Sequence, residues 1–223
     1  EYVIVDDYHF ISAGFDKSSL YGYYQTEQDG NRIKVFPIDQ KLRYIVPYKE
    51  VPEIDAYLDS IAGTEDRAAV IFDDGEKFGL WPDSYEWVYE KGWLERFMKY
   101  MSNTKTAVSS HFSAFAAKAK PLGIVYLPSV SYHEMGEWAL FADKFVALEK
   151  LKQTLNDAGL GEQAESFVKG SIWQNFLVKY PEANRMHKRS LNLALQANTY
   201  NDDVLNGLVF KTQVNDALWH GIF

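Results

Sequence analysis

Arg67-Ala68-Ala69-Val70-Ile71-Phe72 is an apolar run that leads straight into Asp73-Asp74-Gly75-Glu76-Lys77-Phe78-Gly79-Leu80-Trp81. Three carboxylates within four positions repel one another, so at least one is expected to hold its proton above the usual carboxylate range. A carboxylic acid kept protonated near neutrality can donate to a leaving group. Gly75 and Gly79 permit tight turns, and Trp81 offers a flat apolar face beside the acids. Two other readings fit the same residues. One is a solvated acidic turn with a helix-capping Asp; the other is a Mg²⁺ or Ca²⁺ site, since hard cations take clustered carboxylates.

A second acid and aromatic pair lies near the end of the chain. Leu205, Leu208, Val209 and Thr212 make a helical stripe, and Asp216 and Trp219 continue it at the same period. A carboxylate on a buried face is costly unless paired or used. At i, i+3 spacing the two side chains are neighbours and could grip a sugar ring; the plain reading is a helix end reaching solvent. Asp6 and Asp7 also follow a strand-like run and either line the same face or serve structure. His133 with Glu134, and His187 with Lys188 and Arg189, lack a further ligand at metal spacing and read as ordinary polar positions.

The elements that must hold these residues follow from periodicity. Tyr2 to Val5, Ala68 to Phe72 and Gly123 to Leu127 are short, continuously apolar runs, as in strands covered on both faces of a parallel sheet. Ile33 to Phe36 and Leu42 to Val46 are weaker strand candidates. Pro52 opens a helix in which Ile54, Tyr57, Leu58 and Ile61 share a face until Gly63, and Trp93, Phe97, Met98 and Met101 mark another. Strand and helix in alternation imply an α/β fold with a parallel sheet, open or closed into a barrel. After Pro128 the strand signal stops. Phe141, Phe145, Leu148, Leu151 and Leu155 mark a long helix, and further helices are expected over about 181–196 and 202–219. The expected organisation is an α/β domain over 1–130 and a helical domain over 131–223.

Composition removes several function classes. The 223 residues carry 23 Lys+Arg against 31 Asp+Glu, a net charge of −8, which argues against a phosphate-backbone partner. Cys is absent, so disulfides, thiolate metal sites and cysteine nucleophiles are absent with it. No stretch reaches the ~20 apolar residues of a membrane span, and a soluble, cytoplasmic protein without nucleic-acid or membrane partners is expected. Aromatic residues form 16% of the chain, which suits a packed core and also a surface that stacks rings. The apolar opening at Tyr2 and the apolar close at Leu218-Trp219 lead to the expectation of an internal piece of a longer chain.

The run Asp73 to Pro82 resembles the fourth signature region of glycoside hydrolase family 57, and the similarity continues through Tyr85-Glu86-Trp87-Val88-Tyr89-Glu90-Lys91-Gly92-Trp93-Leu94. Tyr126-Leu127-Pro128-Ser129, the segment 131–138 and Asn184-Arg185-Met186-His187-Lys188-Arg189 are similar to its 4-α-glucanotransferase and α-amylase branch. Gln213 to Gly221 resembles the fifth region. Val214, Leu218 and Phe141 depart from the residues usual in that branch. The resemblance implies a retaining enzyme on α-1,4-glucans or maltooligosaccharides, built on a (β/α)7 barrel followed by a helical domain that completes the site. It implies no cofactor and no metal, and it leaves a homodimer open. By motif position Asp74 would be the general acid/base, with Glu76, Trp81, Asp216 and Trp219 as substrate-binding residues on one concave face. Retaining chemistry needs a second carboxyl roughly 5–5.5 Å from the first. The region that bears the family's nucleophilic Glu does not occur in this chain, so the expected place for it is upstream, and the 223 residues alone are expected to be inactive. Transfer, hydrolysis, sugar binding without catalysis, and metal-dependent hydrolysis by Asp73, Asp74 and Glu76 all remain open at this level.

Overall fold

Tyr2–Val5 forms strand β1, and Tyr24–Gln28 and Asn31–Pro37 form a hairpin, β2 and β3. In this computed structural model, which describes residues 1–64 and 66–219 with the backbone alone for Trp219, the sheet order is β1-β3-β2. β1 runs parallel to β3 with Tyr2 opposite Lys34 and Val5 opposite Pro37, whereas β2 is antiparallel to β3. The sheet is therefore mixed, not purely parallel. Val35 and Phe36 point to opposite faces because side chains alternate along a strand. Val35 packs with Phe10, Leu20, Tyr24 and Val125 on one face, and Phe36 packs with Tyr23, Ile38, Val70 and Ala119 on the other.

Two expected strands are reduced. The segment 68–72 has no strand ladder; Val70 is buried and its carbonyl accepts from Asp39 N at 2.7 Å, but Ile71 and Phe72 face outward. The segment 123–127 contributes an isolated parallel bridge between Ile124 and Gln25. The expected weak strand at Leu42 to Val46 is a helix instead, α2 at Gln40–Ile45, after the short helix α1 at Tyr8–Ile11. Its cause is the N-cap: the Asp39 carboxylate accepts from Leu42 N at 2.9 Å and satisfies one of the donors that a helix start leaves open.

Helix α3, Val51–Ile61, has Pro52 in its first turn and buries Ile54 and Tyr57. Helix α4, Trp93–Asn103, buries Trp93, whose ring stacks on Phe97 at 4.9 Å. Leu42, Val46, Ile54, Tyr57 and Trp93 make a third cluster of the core. Helix α5, Phe112–Lys118, covers the Phe36 face through Phe112 and Phe115.

The chain divides into two compact units, Glu1–Pro128 and Ser129–Phe223. In the second unit the described elements are helices: α6 His133–Trp138, α7 Ala142–Asp157, α8 Gly161–Phe167, α9 Trp173–Lys179, α10 Pro181–Ala197, α11 Asp203–Thr212 and α12 Asp216–Trp219. Its core is Met135, Ala139, Phe176, Leu177 and Ala183. Gly170 makes this packing possible, since a Cβ there would meet the Gly136 carbonyl oxygen at 2.4 Å. The single helix expected over 202–219 is broken at Gln213–Asn215, so Asp216 opens a new turn and is exposed. It does not continue a buried stripe; Leu208, one residue of that stripe, is exposed as well. Among the described residues no helix is long and apolar enough to cross a membrane.

Candidate active site

The acidic turn is held from below by a buried ammonium. Lys77 is only 5% exposed, yet its charge is compensated. Its Nζ donates to the Asp73 carboxylate, one turn back in the chain, and to the Arg43 carbonyl at 2.8 Å. The Arg43 guanidinium in turn donates to Asp6 Oδ2 at 2.8 Å, and Asp6 Oδ1 accepts from Tyr8 N at 3.1 Å. Two ion pairs, Asp6 with Arg43 and Lys77 with Asp73, are thus joined through the Arg43 carbonyl from the end of β1 through α2 to the turn. The structural reading of Asp6 holds, and its carboxylate reaches the candidate site through Arg43.

Asp73 is consequently committed on both oxygens. Oδ2 takes the Lys77 ammonium, and Oδ1 accepts the backbone N–H of Asp74 at 2.9 Å. That bond fixes the backbone where the Asp74 side chain departs toward solvent. Burial pushes the Asp74 carboxyl above its ordinary value; the Asp73 and Glu76 carboxylates push the same way, and Lys77 and Arg43 oppose them. The repulsion expected from the spacing therefore acts on Asp74 in particular, because Asp73 has a cation of its own.

A short 3₁₀ turn, Gly75–Phe78, then brings the chain back. The Glu76 carbonyl accepts from Leu80 N at 2.9 Å and from Trp81 N at 3.1 Å, which returns Trp81 over the same turn. Gly79 sits at φ +136°, a conformation that L side chains rarely adopt. Trp81 stacks on Tyr48 with ring centroids 6.4 Å apart and planes at 21°. Lys77 Nζ lies 5.7 Å from the Tyr48 ring and 5.6 Å from the Trp81 ring, so the cation also underlies both aromatic faces.

Tyr48 was not singled out by any motif or spacing. It lies on the link between α2 and α3, and that link is clamped by two indoles. Trp87 Nε1 donates to the Pro47 carbonyl and Trp93 Nε1 to the Lys49 carbonyl, each at 2.7 Å. Burial raises the Tyr48 phenol above its ordinary value, and the Asp73 and Asp74 charges add to the rise, which places the ring within electrostatic reach of the acids. A sequence signal did exist in the Trp-rich stretch after the turn, but nothing in it names the carbonyls that the indoles reach.

Asp74, Glu76 and Trp81 are thus gathered on one turn of the first unit, together with Tyr48, Lys77 and Arg43. Asp216 stands at the start of α12 in the second unit, and Leu218 N donates to the Asn215 carbonyl at 2.8 Å there. The Trp219 backbone lies in the same helix, and its side chain lies outside the described residues. The divalent-cation reading finds no geometry: among the described residues no three His, Asp or Glu side chains are grouped to hold a metal ion, and Asp73 already binds an ammonium. In the second unit His133 is 3.0 Å from Glu137 and 3.1 Å from Lys152, an ion network within the helices.

The arrangement can do two things chemically. It presents a carboxyl that holds its proton at higher pH than a free one, beside a flat aromatic face suited to the apolar side of a ring. Comparison with known proteins gives the family. Residues 1–128 match the model of glycosyl hydrolase family 57, and residues 171–223 match that of the α-amylase/4-α-glucanotransferase middle domain. The chain is 47% identical over 224 residues to an α-amylase of Pyrococcus abyssi and 45% identical over 224 residues to a 4-α-glucanotransferase of Thermococcus litoralis. Each alignment covers 100% of this chain and 34% of the relative, so the chain spans about a third of the length of the curated relatives it matches. The crystal structure of the 4-α-glucanotransferase from Thermococcus litoralis superposes with a TM-score of 0.85 at 45% identity, over 100% of this chain and 35% of that one. The match running through residues 1–128, more than half of the chain, shows that the chain belongs to glycosyl hydrolase family 57.

Proposed function

We propose that the protein to which this chain belongs is a retaining enzyme that acts on α-1,4-glucans, with 4-α-glucanotransfer between maltooligosaccharides as its reaction. The observation that carries this is the likeness over the whole chain to 4-α-glucanotransferases and α-amylases, with Asp74 as a carboxyl of raised proton affinity on a turn whose Asp73 is neutralised by Lys77. In this reading residues 1–130 form the C-terminal part of a (β/α)7 barrel, and residues 131–223 form a helical domain that completes the site. Asp74 protonates the glycosidic oxygen as the bond to the anomeric carbon breaks, then accepts a proton from the incoming acceptor hydroxyl. Glu76 accepts hydrogen bonds from sugar hydroxyls. Trp81, backed by Tyr48, stacks under a pyranose ring. Asp216 and Trp219 are proposed as glucan contacts of the second unit. The partner carboxylate that attacks the anomeric carbon is assigned to the part of the full-length protein outside this chain.

Hydrolysis is the second reading, because relatives at 47% identity are named α-amylases. The two differ in what captures the glycosyl-enzyme intermediate, a sugar hydroxyl or water. The full-length protein incubated with maltotriose separates them. Transfer yields longer and shorter oligosaccharides with constant reducing ends, and hydrolysis raises the reducing ends. Asp74→Asn in the same protein is expected to lower kcat by about 10²- to 10⁴-fold, as loss of a general acid does, with maltooligosaccharide binding retained. Full turnover by Asp74→Asn would remove the role given to that residue.

A further inference from the structure

Tyr85 and Tyr89 follow Trp81 in the chain, and the mechanism above does not use them. Their rings lie 5.2 Å apart at 39°, and they are 58% and 48% exposed. Both belong to a π-helical turn, Glu86–Glu90 with Tyr85 as its N-cap, a rare geometry that recurs at functional sites. The inner side of that turn is fixed by fully buried Val88 and by the Trp87 bond to Pro47. With that side committed, the two tyrosines are directed outward.

The rings rest on the backbone of Gly79. A Cβ at that position would lie 2.9 Å from Tyr89 Cε2 and 3.6 Å from Tyr85 Cδ2. Gly79 is two residues from Trp81, and Leu80 between them is 82% exposed. The Tyr85–Tyr89 pair therefore packs on the same turn that carries Trp81, and all four rings of the two pairs, Tyr48, Trp81, Tyr85 and Tyr89, are exposed. Exposed Glu86 and Glu90 border the pair. Flat rings with carboxylate acceptors at the margin suit a neutral polyhydroxylated chain: ring C–H faces lie on the aromatics and hydroxyls donate to the acids. Glu86 is paired with Lys91 at 3.0 Å, so the margin offers both acceptors and a donor to sugar hydroxyls.

We infer that Tyr85 and Tyr89 form an outer binding platform for a linear α-glucan, taking the sugars of a long chain that extend past Trp81. This rests on the proposed action on α-glucans. The platform binds chain that a short oligosaccharide does not have, so it sets a preference for long substrates.

The test uses the full-length protein carrying Asp74→Asn, so that the sugar is not consumed, with maltotriose and maltoheptaose titrated calorimetrically. Adding Tyr85→Ala and Tyr89→Ala is expected to weaken maltoheptaose about tenfold, the effect of about 1.4 kcal/mol, and to leave maltotriose within about twofold. Tyr85→Phe with Tyr89→Phe keeps the rings and is expected to keep the long-chain affinity. Tyr85→Ala alone, at the more exposed ring, gives the same readout should the double variant fold poorly. Equal weakening of both sugars, no weakening of either, or a loss in the Phe pair as large as in the Ala pair would each overturn the platform. Absence of binding of either sugar to the Asp74→Asn parent overturns the glucan reading itself, and the platform with it; binding by the parent without length dependence in the variants removes the platform alone.

Discussion

Asp73 and Asp74 are adjacent, yet the structure gives them opposite tasks. Asp73 is a committed anion between Lys77 and a backbone N–H, and Asp74 is the group whose proton affinity rises. Replacing Asp73 by Asn removes a charge that raises the Asp74 value and leaves the Lys77 ammonium, which lowers it. Asp74 then loses its proton at lower pH. Since the proton donor must be protonated, the alkaline limb of the kcat/KM profile is expected to move toward acid in Asp73→Asn, measured with maltooligosaccharides on the full-length protein. A limb that stays or moves upward would show that Asp73 does not act on the donor. The presence of an acid with a raised proton affinity was legible from three carboxylates in four positions. Which acid it would be was open to physical argument only once the partner of each was known. Lys77 is visible in the sequence, but its burial and its reach to the Arg43 carbonyl depend on a helix 34 positions away in the chain.

Elements decide how well that turn is held. The link bearing Tyr48 is fixed by carbonyls of Pro47 and Lys49 that find their donors in Trp87 and Trp93. Trp93→Phe keeps most of the buried ring and removes the donor to Lys49. The orphaned carbonyl is expected to cost about 1–3 kcal/mol, read as a drop in unfolding free energy in urea with the m-value unchanged. Because the same link carries Tyr48, KM for maltooligosaccharides should rise with it. In the second unit Gly170→Ala drives a methyl into the Gly136 carbonyl, where Ser171 N donates at 2.7 Å. Separation of α6 from the segment before α9 is expected to cost about 1–3 kcal/mol by the same measurement. Helices with a clear period, α3, α4, α7 and α10, were legible in the sequence. The apolar runs at 68–72 and 123–127 were not, because β-strands need partners and a run of apolar residues does not say how many ladder bonds it will make. The α2 helix was hidden because the β-like Tyr44-Ile45-Val46 run at its end masks the helix formers Gln40 to Arg43 and the Asp39 cap before them.

At the scale of the whole molecule the two units divide the labour differently. The first, matched to the family over residues 1–128, holds two joined ion pairs, a clamped link and two exposed aromatic pairs on a mixed sheet; the second, matched over 171–223, is helical throughout its described elements. The exposure of Trp81 gives the protein an optical property. Of the six tryptophans in the chain, Trp93 is fully buried, Trp87, Trp138 and Trp173 are partly buried, and Trp81 is 40% exposed. Its ring stands above an ammonium and beside carboxylates, a polar setting in which an indole emits at long wavelength. A sugar laid on that face displaces water from it, so maltooligosaccharide titration is expected to shift the intrinsic emission of the full-length protein to shorter wavelength, and Trp81→Phe should reduce the shift. The chain thus carries its own unlabelled fluorescent reporter, placed at the proposed point of contact with the substrate.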